Sequence, residues 1–270
     1  MTILEQLTTH ARARVAQAKQ KIPLSEMQRL ALQLPKGDFS FARVLQRPGL
    51  SFICECKKAS PSKGVITKDY PYLEIAKAYE AGGADAVSVL TEPRWFLGRD
   101  IELREIASAL TVPCLRKDFT IDPYMIYEAK VLGASAVLLI CSVLEKEQLE
   151  DYLQICNTLG LSALVEAHNQ REVHTALSAG AKIIGVNNRN LSDFSVDVTN
   201  SAHLRREVPK DVLFVSESGV KDEQDVIALC RLGADAVLIG EMLMRAPDKQ
   251  EKLKKLRLAC SCVSDDEKRS

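Results

Sequence analysis

Gly83-Ala84-Asp85-Ala86-Val87-Ser88-Val89-Leu90 is the first of four copies of one short phrase. Gly133-Ala134-Ser135-Ala136-Val137 runs on into Leu138-Leu139-Ile140, Gly180-Ala181-Lys182-Ile183-Ile184 into Gly185-Val186, and Gly233-Ala234-Asp235-Ala236-Val237 into Leu238-Ile239-Gly240. The leading glycines at 83, 133, 180 and 233 are 50, 47 and 53 residues apart. Each follows a stretch of helical periodicity and opens an apolar run. A glycine there ends a helix and leads into a strand buried on both faces.

Other strands lie between these four. They are Val112-Pro113-Cys114-Leu115-Arg116, Leu161-Ser162-Ala163-Leu164-Val165 and Val212-Leu213-Phe214-Val215-Ser216, and Phe52-Ile53-Cys54 begins the set. Eight strands result, near residues 52, 85, 112, 135, 161, 182, 212 and 235. Apolar residues at helical spacing separate them, such as Tyr72, Ile75, Ala76 and Tyr79, or Leu149, Tyr152, Leu153 and Cys156. Strict alternation in eight units predicts an α/β chain folded as a (β/α)8 TIM barrel. A doubly wound open sheet is the alternative, but it usually has fewer strands and a glycine-rich first turn, which this chain lacks.

The first fifty residues stand outside the repeat. Ile3, Leu4, Leu7 and Val15 predict one helix, and Ser25-Glu26-Met27-Gln28 is a capping-box pattern that opens a second. The expected organisation is an N-terminal helical extension over 1–50, covering the N-terminal end of the barrel or its rim. The barrel follows over 51–256, and a polar tail over 257–270, frayed from Ser261.

Composition narrows the function. The 270 residues are 46% hydrophobic and 27% charged, with formal net charge zero. Such balance gives no reason to expect a nucleic acid or a membrane as partner, so any anion site must be local. No apolar run is long enough to cross a bilayer, and Met-Thr-Ile-Leu-Glu-Gln lacks the basic and apolar blocks of a signal peptide. Of eight cysteines, Cys54, Cys114, Cys141, Cys156 and Cys230 lie singly in apolar runs. Cys54–Cys56 and Cys260–Cys262 are C-x-C pairs with no partner pair and no nearby histidines. The expectation is reduced thiols in a cytoplasmic protein rather than a zinc site.

Barrel enzymes build their sites at the C-terminal strand ends. Here those ends carry Glu55, Lys57 and Ser60 on the first strand, and Ser88 and Glu92 on the second, with Trp95 in the loop beyond. The third carries Arg116-Lys117-Asp118-Phe119, the fourth Cys141-Ser142 and the fifth Glu166 and His168. The sixth carries Asn187-Asn188-Arg189-Asn190, the seventh Ser216-Glu217-Ser218-Gly219 and the eighth Gly240-Glu241. Glu55 and Lys57 sit two apart, so both face the same side of a strand. A carboxylate and an ammonium facing one interior are costly unless paired, solvated or used. Lys57 and Lys117 can serve as acids or hold anions, and Glu55, Glu166 and Glu217 can serve as bases or position the lysines. A lysine crowded by carboxylates stays charged, which suits a general acid more than a Schiff-base nucleophile. One strand-end lysine or glutamate is more often an ion pair than a catalyst, but here topology converges five. Ser60, Ser218-Gly219 and Gly240-Glu241 fit a phosphate site after the last two strands, with Glu241-Met242-Leu243-Met244 as a short helix. Glycines serving tight turns alone are the competing reading.

Together these motifs resemble the indole-3-glycerol-phosphate synthase family, the barrel of tryptophan biosynthesis. The resemblance covers Phe41 to Arg245, with the N-terminal helical extension that the family also carries. Its most specific parts are Cys54-Glu55-Cys56-Lys57-Lys58-Ala59-Ser60-Pro61-Ser62-Lys63-Gly64 and Gly185-Val186-Asn187-Asn188-Arg189-Asn190-Leu191. The order of Leu115-Arg116-Lys117-Asp118-Phe119, Val165-Glu166, Ser216-Glu217-Ser218-Gly219 and Leu238-Ile239-Gly240-Glu241 adds to it. Cys56 departs from a more usual apolar residue and points away from the site on strand alternation.

The resemblance implies a carboxy-lyase that closes, decarboxylates and dehydrates 1-(2-carboxyphenylamino)-1-deoxyribulose 5-phosphate. It implies no metal or organic cofactor and a small phosphorylated molecule as partner. It also implies a monomer without a fused isomerase barrel. Lys117 is the implied general acid. Lys57 holds the substrate carboxylate, Glu166 stabilises developing positive charge or exchanges a proton, and Glu55 positions the lysines and binds a sugar hydroxyl. Asn187 and Ser218 hydrogen-bond the substrate with Glu217 among them, and Arg189 binds its carboxylate or anchors its neighbours. Ser60 and the backbone N–H groups of Gly219, Gly240 and Glu241 cradle the phosphate, while Phe119 and Trp95 border the aromatic ring. Two other classes stay open: a Schiff-base barrel aldolase using Lys57 or Lys117, and a non-catalytic phosphosugar-binding barrel.

Overall fold

The computed structural model of the chain describes residues 2–189, 195–197 and 199–261. Asn190, Leu191 and the expected frayed stretch from 262 onward lie outside the described residues. Eight parallel strands close into a barrel: β1 (Ser51–Cys56), β2 (Ala86–Leu90), β3 (Cys114–Lys117), β4 (Ala136–Ile140), β5 (Ser162–Ala167), β6 (Ile183–Asn187), β7 (Leu213–Glu217) and β8 (Ala236–Ile239). Each pairs with its neighbour in sequence, and β8 returns to β1 with Ser51 opposite Ala236. The eight strands predicted from the repeat are these.

The glycines of the recurring phrase adopt positive φ, from 74° at Gly233 to 94° at Gly83, where they end helices before the strands. Two of its aspartates lace the strands together. Asp85 accepts the Phe52 N–H at 2.9 Å, and Asp235 accepts the Phe214 N–H at 2.7 Å. Alternation then sorts the side chains. Phe52, Cys54 and Cys56 face the surrounding helices, so Cys56 does point away from the barrel interior. Ile53, Leu115, Leu164, Ile183 and Val215 fill the interior.

The extension divides its work. α3 (Ser40–Leu45) closes the N-terminal end, where Phe41 and Leu45 join the interior cluster and the Ala42 N–H donates to Ser162 Oγ at 3.1 Å. α2 (Leu24–Gln33) packs on α6 (Pro123–Val131). α1 (Ile3–Lys21) instead lies at the opposite, C-terminal end, held by Arg14 to Asp118 and Lys19 to Asp122, both at 2.7 Å. The expected cover of the N-terminal end is therefore α3 alone. The capping box at Ser25 does not form either. The helix starts at Leu24 with Pro23 at its N-cap, which places Ser25 inside the first turn, and Glu26 pairs with Arg29 at 2.6 Å.

The remaining helices are α4 (Tyr72–Gly82), α5 (Asp100–Ala109), α7 (Lys146–Leu159), α8 (Gln170–Ser178), α9 (Thr199–Leu204), α10 (Glu223–Leu232), α11 (Glu241–Arg245) and α12 (Lys249–Ser261). α12 runs past residue 256, where the barrel was expected to end, and packs on α4 and α10. Arg257 reaches Asp85 at 2.7 Å. The expectation of reduced thiols throughout fails here. α12 brings Cys260 against Cys230 of α10, and the two are disulfide-bonded with Cα atoms 6.3 Å apart. Cys54, Cys56, Cys114, Cys141 and Cys156 are free.

The bond links cysteines separated by 30 residues. Closing a loop of that size removes about 3.6 kcal/mol of denatured-chain entropy. Reduction with dithiothreitol, or Cys260→Ser, is expected to lower the melting temperature by roughly 5 °C. Equal melting temperatures with and without reductant would contradict the tether.

Candidate active site

The C-terminal strand ends open on a cavity of about 1050 Å3. Every residue assigned a catalytic or binding part from the sequence lines it except Trp95: Glu55, Lys57, Ser60, Lys117, Phe119, Glu166, Asn187, Arg189, Glu217, Ser218, Gly219, Gly240 and Glu241.

Lys117 ends β3 and is half-buried. Its Nζ lies 3.1 Å from Glu166 Oε2 and 3.5 Å from Glu217 Oε2. Burial alone lowers the pKa of this ammonium, but Glu166, Glu217 and Glu55 outweigh burial and raise it above the ordinary lysine value. Burial likewise pushes Glu166 up. Lys117 and His168 overcome that and hold it below the usual carboxylate range. Glu217 moves the other way, because burial and the neighbouring carboxylates Glu166 and Glu55 together exceed the pull of Lys117. Its Oε1 is buried and has no hydrogen-bond partner among the described residues. Glu55 forms its ion pair with Lys57 rather than with Lys117.

Two glycines make room for this cluster. Gly185 on β6 is paired with Glu166 on one side and Val215 on the other, and a Cβ there would run into the Glu217 carboxylate. A Cβ at Gly240 would meet the Glu55 carboxylate and Lys57 Nζ. The sequence suggested close approach of a ligand at Gly240; its neighbours here are the site's own charged side chains.

Beyond β7 the chain turns left-handed at Ser218 (φ 66°) and Gly219 (φ 97°). Asn188 fixes that turn by donating to Ser216 Oγ at 3.2 Å and to the Ser218 carbonyl at 3.1 Å. Asn187 Oδ1 accepts the Arg189 N–H at 3.0 Å. Ser60 belongs to a small hairpin in which Ala59–Ser60 pairs with Gly64–Val65, and Lys63 Nζ lies 3.8 Å from Glu241 at the start of α11.

The apolar wall comes from Phe119 and Phe96, whose ring centroids are 6.3 Å apart, with Leu4 and Leu7 of α1 at the mouth. Trp95, expected to border the aromatic ring, lies elsewhere. It stands edge-on to His10 at 5.5 Å under the Arg94 guanidinium and does not line the cavity. Glu92 sets this loop by accepting the N–H groups of Arg94, Trp95 and Phe96. Phe96 and α1 were not assigned to the site from sequence. A loop carries no periodicity to tell Trp95 from Phe96, and the fold alone shows where α1 crosses. Arg116 and Asp118 bind Asp100, Glu128 and Arg14 and belong to the frame. A cavity with a half-buried ammonium, carboxylates of divided protonation and an apolar wall suits proton transfer on an anionic substrate with an apolar part.

The sequence model of the family described as indole-3-glycerol phosphate synthase matches residues 4–256. The chain is 52% identical over 256 residues to the indole-3-glycerol phosphate synthase of Ruminiclostridium cellulolyticum, covering 94% of this chain and 98% of that one. It is 51% identical over 256 residues to the protein of the same name from Endomicrobium trichonymphae, covering 94% and 99%. Among solved structures, 3-hexulose-6-phosphate synthase from Salmonella typhimurium superposes with a TM-score of 0.63 at 14% identity, covering 78% of this chain and 99% of that one, a likeness of fold alone.

Gly185→Ala is expected to displace the Glu217 carboxylate and destabilise the protein by about 1–3 kcal/mol, as overpacking does. Chemical denaturation measures this, and an unchanged midpoint would show that the carboxylate has room to move aside.

Proposed function

The chain belongs to the indole-3-glycerol phosphate synthase family, and from that premise we propose how its site works. The protein is a carbon–carbon lyase of tryptophan biosynthesis. It closes the indole ring of 1-(2-carboxyphenylamino)-1-deoxyribulose 5-phosphate and releases carbon dioxide and water. The observation that carries the mechanism is the half-buried Lys117 ammonium, 3.1 Å from buried Glu166 and 3.5 Å from buried Glu217.

Lys117 protonates the ketone oxygen as the carboxylate-bearing ring carbon attacks the ketone carbon. A charged ammonium is the form that can donate, and its carboxylate neighbours keep it charged. Glu166, held ionised, stabilises the positive charge that builds on the ring and nitrogen. Loss of carbon dioxide restores the aromatic ring, and loss of the new hydroxyl as water completes the indole. Lys57, oriented by Glu55, holds the departing carboxylate, with Arg189 as a second cation on the cavity wall. Asn187, Ser218 and the unpartnered oxygen of Glu217 bind substrate hydroxyls. Ser60 and the N–H groups of Gly219, Gly240 and Glu241 take the phosphate, and Phe119 borders the ring.

A Schiff-base mechanism needs a neutral lysine. Three carboxylates raising Lys117 oppose that, so borohydride is expected to trap no substrate on the protein. The same reading includes a monomer acting in the cytoplasm on a small phosphorylated molecule. It treats residues 1–50 as an extension packed on the barrel.

Purified protein given the anthranilate-derived ribulose phosphate should produce indole fluorescence, and its absence would sink the reading. Lys117→Ala is expected to lower kcat by about a hundredfold or more; near-parental turnover removes the general acid. Ser60→Ala should chiefly raise KM, and a fall in kcat alone contradicts its assignment to the phosphate.

A further inference from the structure

His168 follows β5 directly, two residues beyond Glu166. It does not line the cavity, but its half-buried ring sits against the catalytic carboxylate. Nε2 lies 3.3 Å from Glu166 Oε1, an ion-pair contact without hydrogen-bond geometry, and Nδ1 lies 3.0 Å from Glu172 Oε2. Glu172 is itself fixed. Its Oε2 also accepts the His168 backbone N–H at 2.9 Å, and its Oε1 accepts from Asn169 Nδ2 at 2.8 Å. Asn169 caps α8 by accepting the Glu172 N–H at 3.0 Å. From α9, Asn200 donates to the His168 carbonyl at 3.2 Å. The two oxygens of Glu166 are thus divided, Oε1 toward His168 and Oε2 toward Lys117 at 3.1 Å.

We propose that His168 is a positioning residue: clasped by Glu172, it holds Glu166 Oε1 and so turns Oε2 toward Lys117 and the substrate. This deepens the function proposed above and rests on it. A histidine serving only the start of α8 would contact Glu172 and leave Glu166 untouched.

The surroundings set the sign of the pH dependence. Glu166 and Glu172 face the ring. Lys117 from β3 and Glu217 from β7 lie beyond Glu166, and Cys141 after β4 lies near both carboxylates. Burial pulls the imidazole down, but Glu166 and Glu172 outweigh it and raise it to about 10. The ring is therefore an imidazolium near neutral pH. Because Lys117 and His168 together hold Glu166 below its ordinary range, removing the imidazolium raises Glu166 toward that range. The acidic limb of the rate profile then moves to higher pH.

The test uses the purified full chain with His168→Gln, His168→Ala and Glu172→Gln. In His168→Gln, kcat is expected to fall roughly tenfold with KM little changed, and the acidic limb of kcat to rise by about 0.5 in pH. Glu172→Gln should shift the limb the same way by less. Parental kcat and an unmoved limb in a folded His168→Gln overturn the proposal, because a role confined to the α8 cap moves only the melting temperature. An NMR titration of the His168 ring in the ligand-free parent is independent of turnover and of any variant's folding. An imidazolium persisting at pH 8 is expected, and a neutral ring there overturns the clasp. Failure of the parent to make indole would refute the proposed function, while the ring titration still decides the clasp.

Discussion

A lysine ammonium inside a protein wall is tolerable only if carboxylates surround it, and Lys117 sets that constraint on the whole barrel mouth. Glu166 and Glu217 approach it within 3.5 Å, and Glu55 adds its field from β1. Three buried carboxylates would in turn repel one another. The cluster settles by dividing their protonation: Glu166 is held ionised beside two cations, while Glu217 is pushed toward its protonated form. Lys57 neutralises Glu55 separately. The backbone must leave space for this, and it does so at Gly185 on β6 and at Gly240 just past β8.

The scaffold delivers those groups by alternation and seals them from both ends. Even-spaced residues on β1, such as Ile53 and Glu55, turn inward, while Phe52, Cys54 and Cys56 anchor the strand to the helices. α3 plugs the N-terminal end with Phe41 and Leu45. α1 crosses the mouth, where buried Asp118 pairs with Arg14 and is held below the usual carboxylate range once burial is overcome. Apolar residues of α1 and Phe96 thereby line the same cavity as Lys117 and Glu166. A polar floor beside an apolar wall lets one site handle an aromatic ring and a phosphorylated chain together.

Much of this was legible in the sequence, for a local reason in each case. The recurring glycine-alanine phrase marks helix end and strand start together, so the eight strands could be counted. Glu55 and Lys57 share a face because strand alternation has a period of two. For α2 the local signal at Pro23, two residues before Ser25, marks the start, and the capping-box pattern competes with it. What else stayed hidden depends on long-range packing. Trp95 and Phe96 are neighbours in a loop whose path is set by the buried Glu92. Cys230 and Cys260 meet only because α12 folds back on α10. His168 is visible as a strand-end residue, but its contact with Glu166 depends on how Asn169 and Glu172 cap α8.

Carboxylate neighbours keep Lys117 charged so that it can donate a proton. Heteronuclear NMR of lysine side-chain nitrogens, with the Lys117 signal identified by its loss in Lys117→Met, reads this directly. Lys117 is expected to remain an ammonium at a pH where the exposed lysines have lost their protons. A Lys117 that titrates with or before the exposed lysines would contradict it.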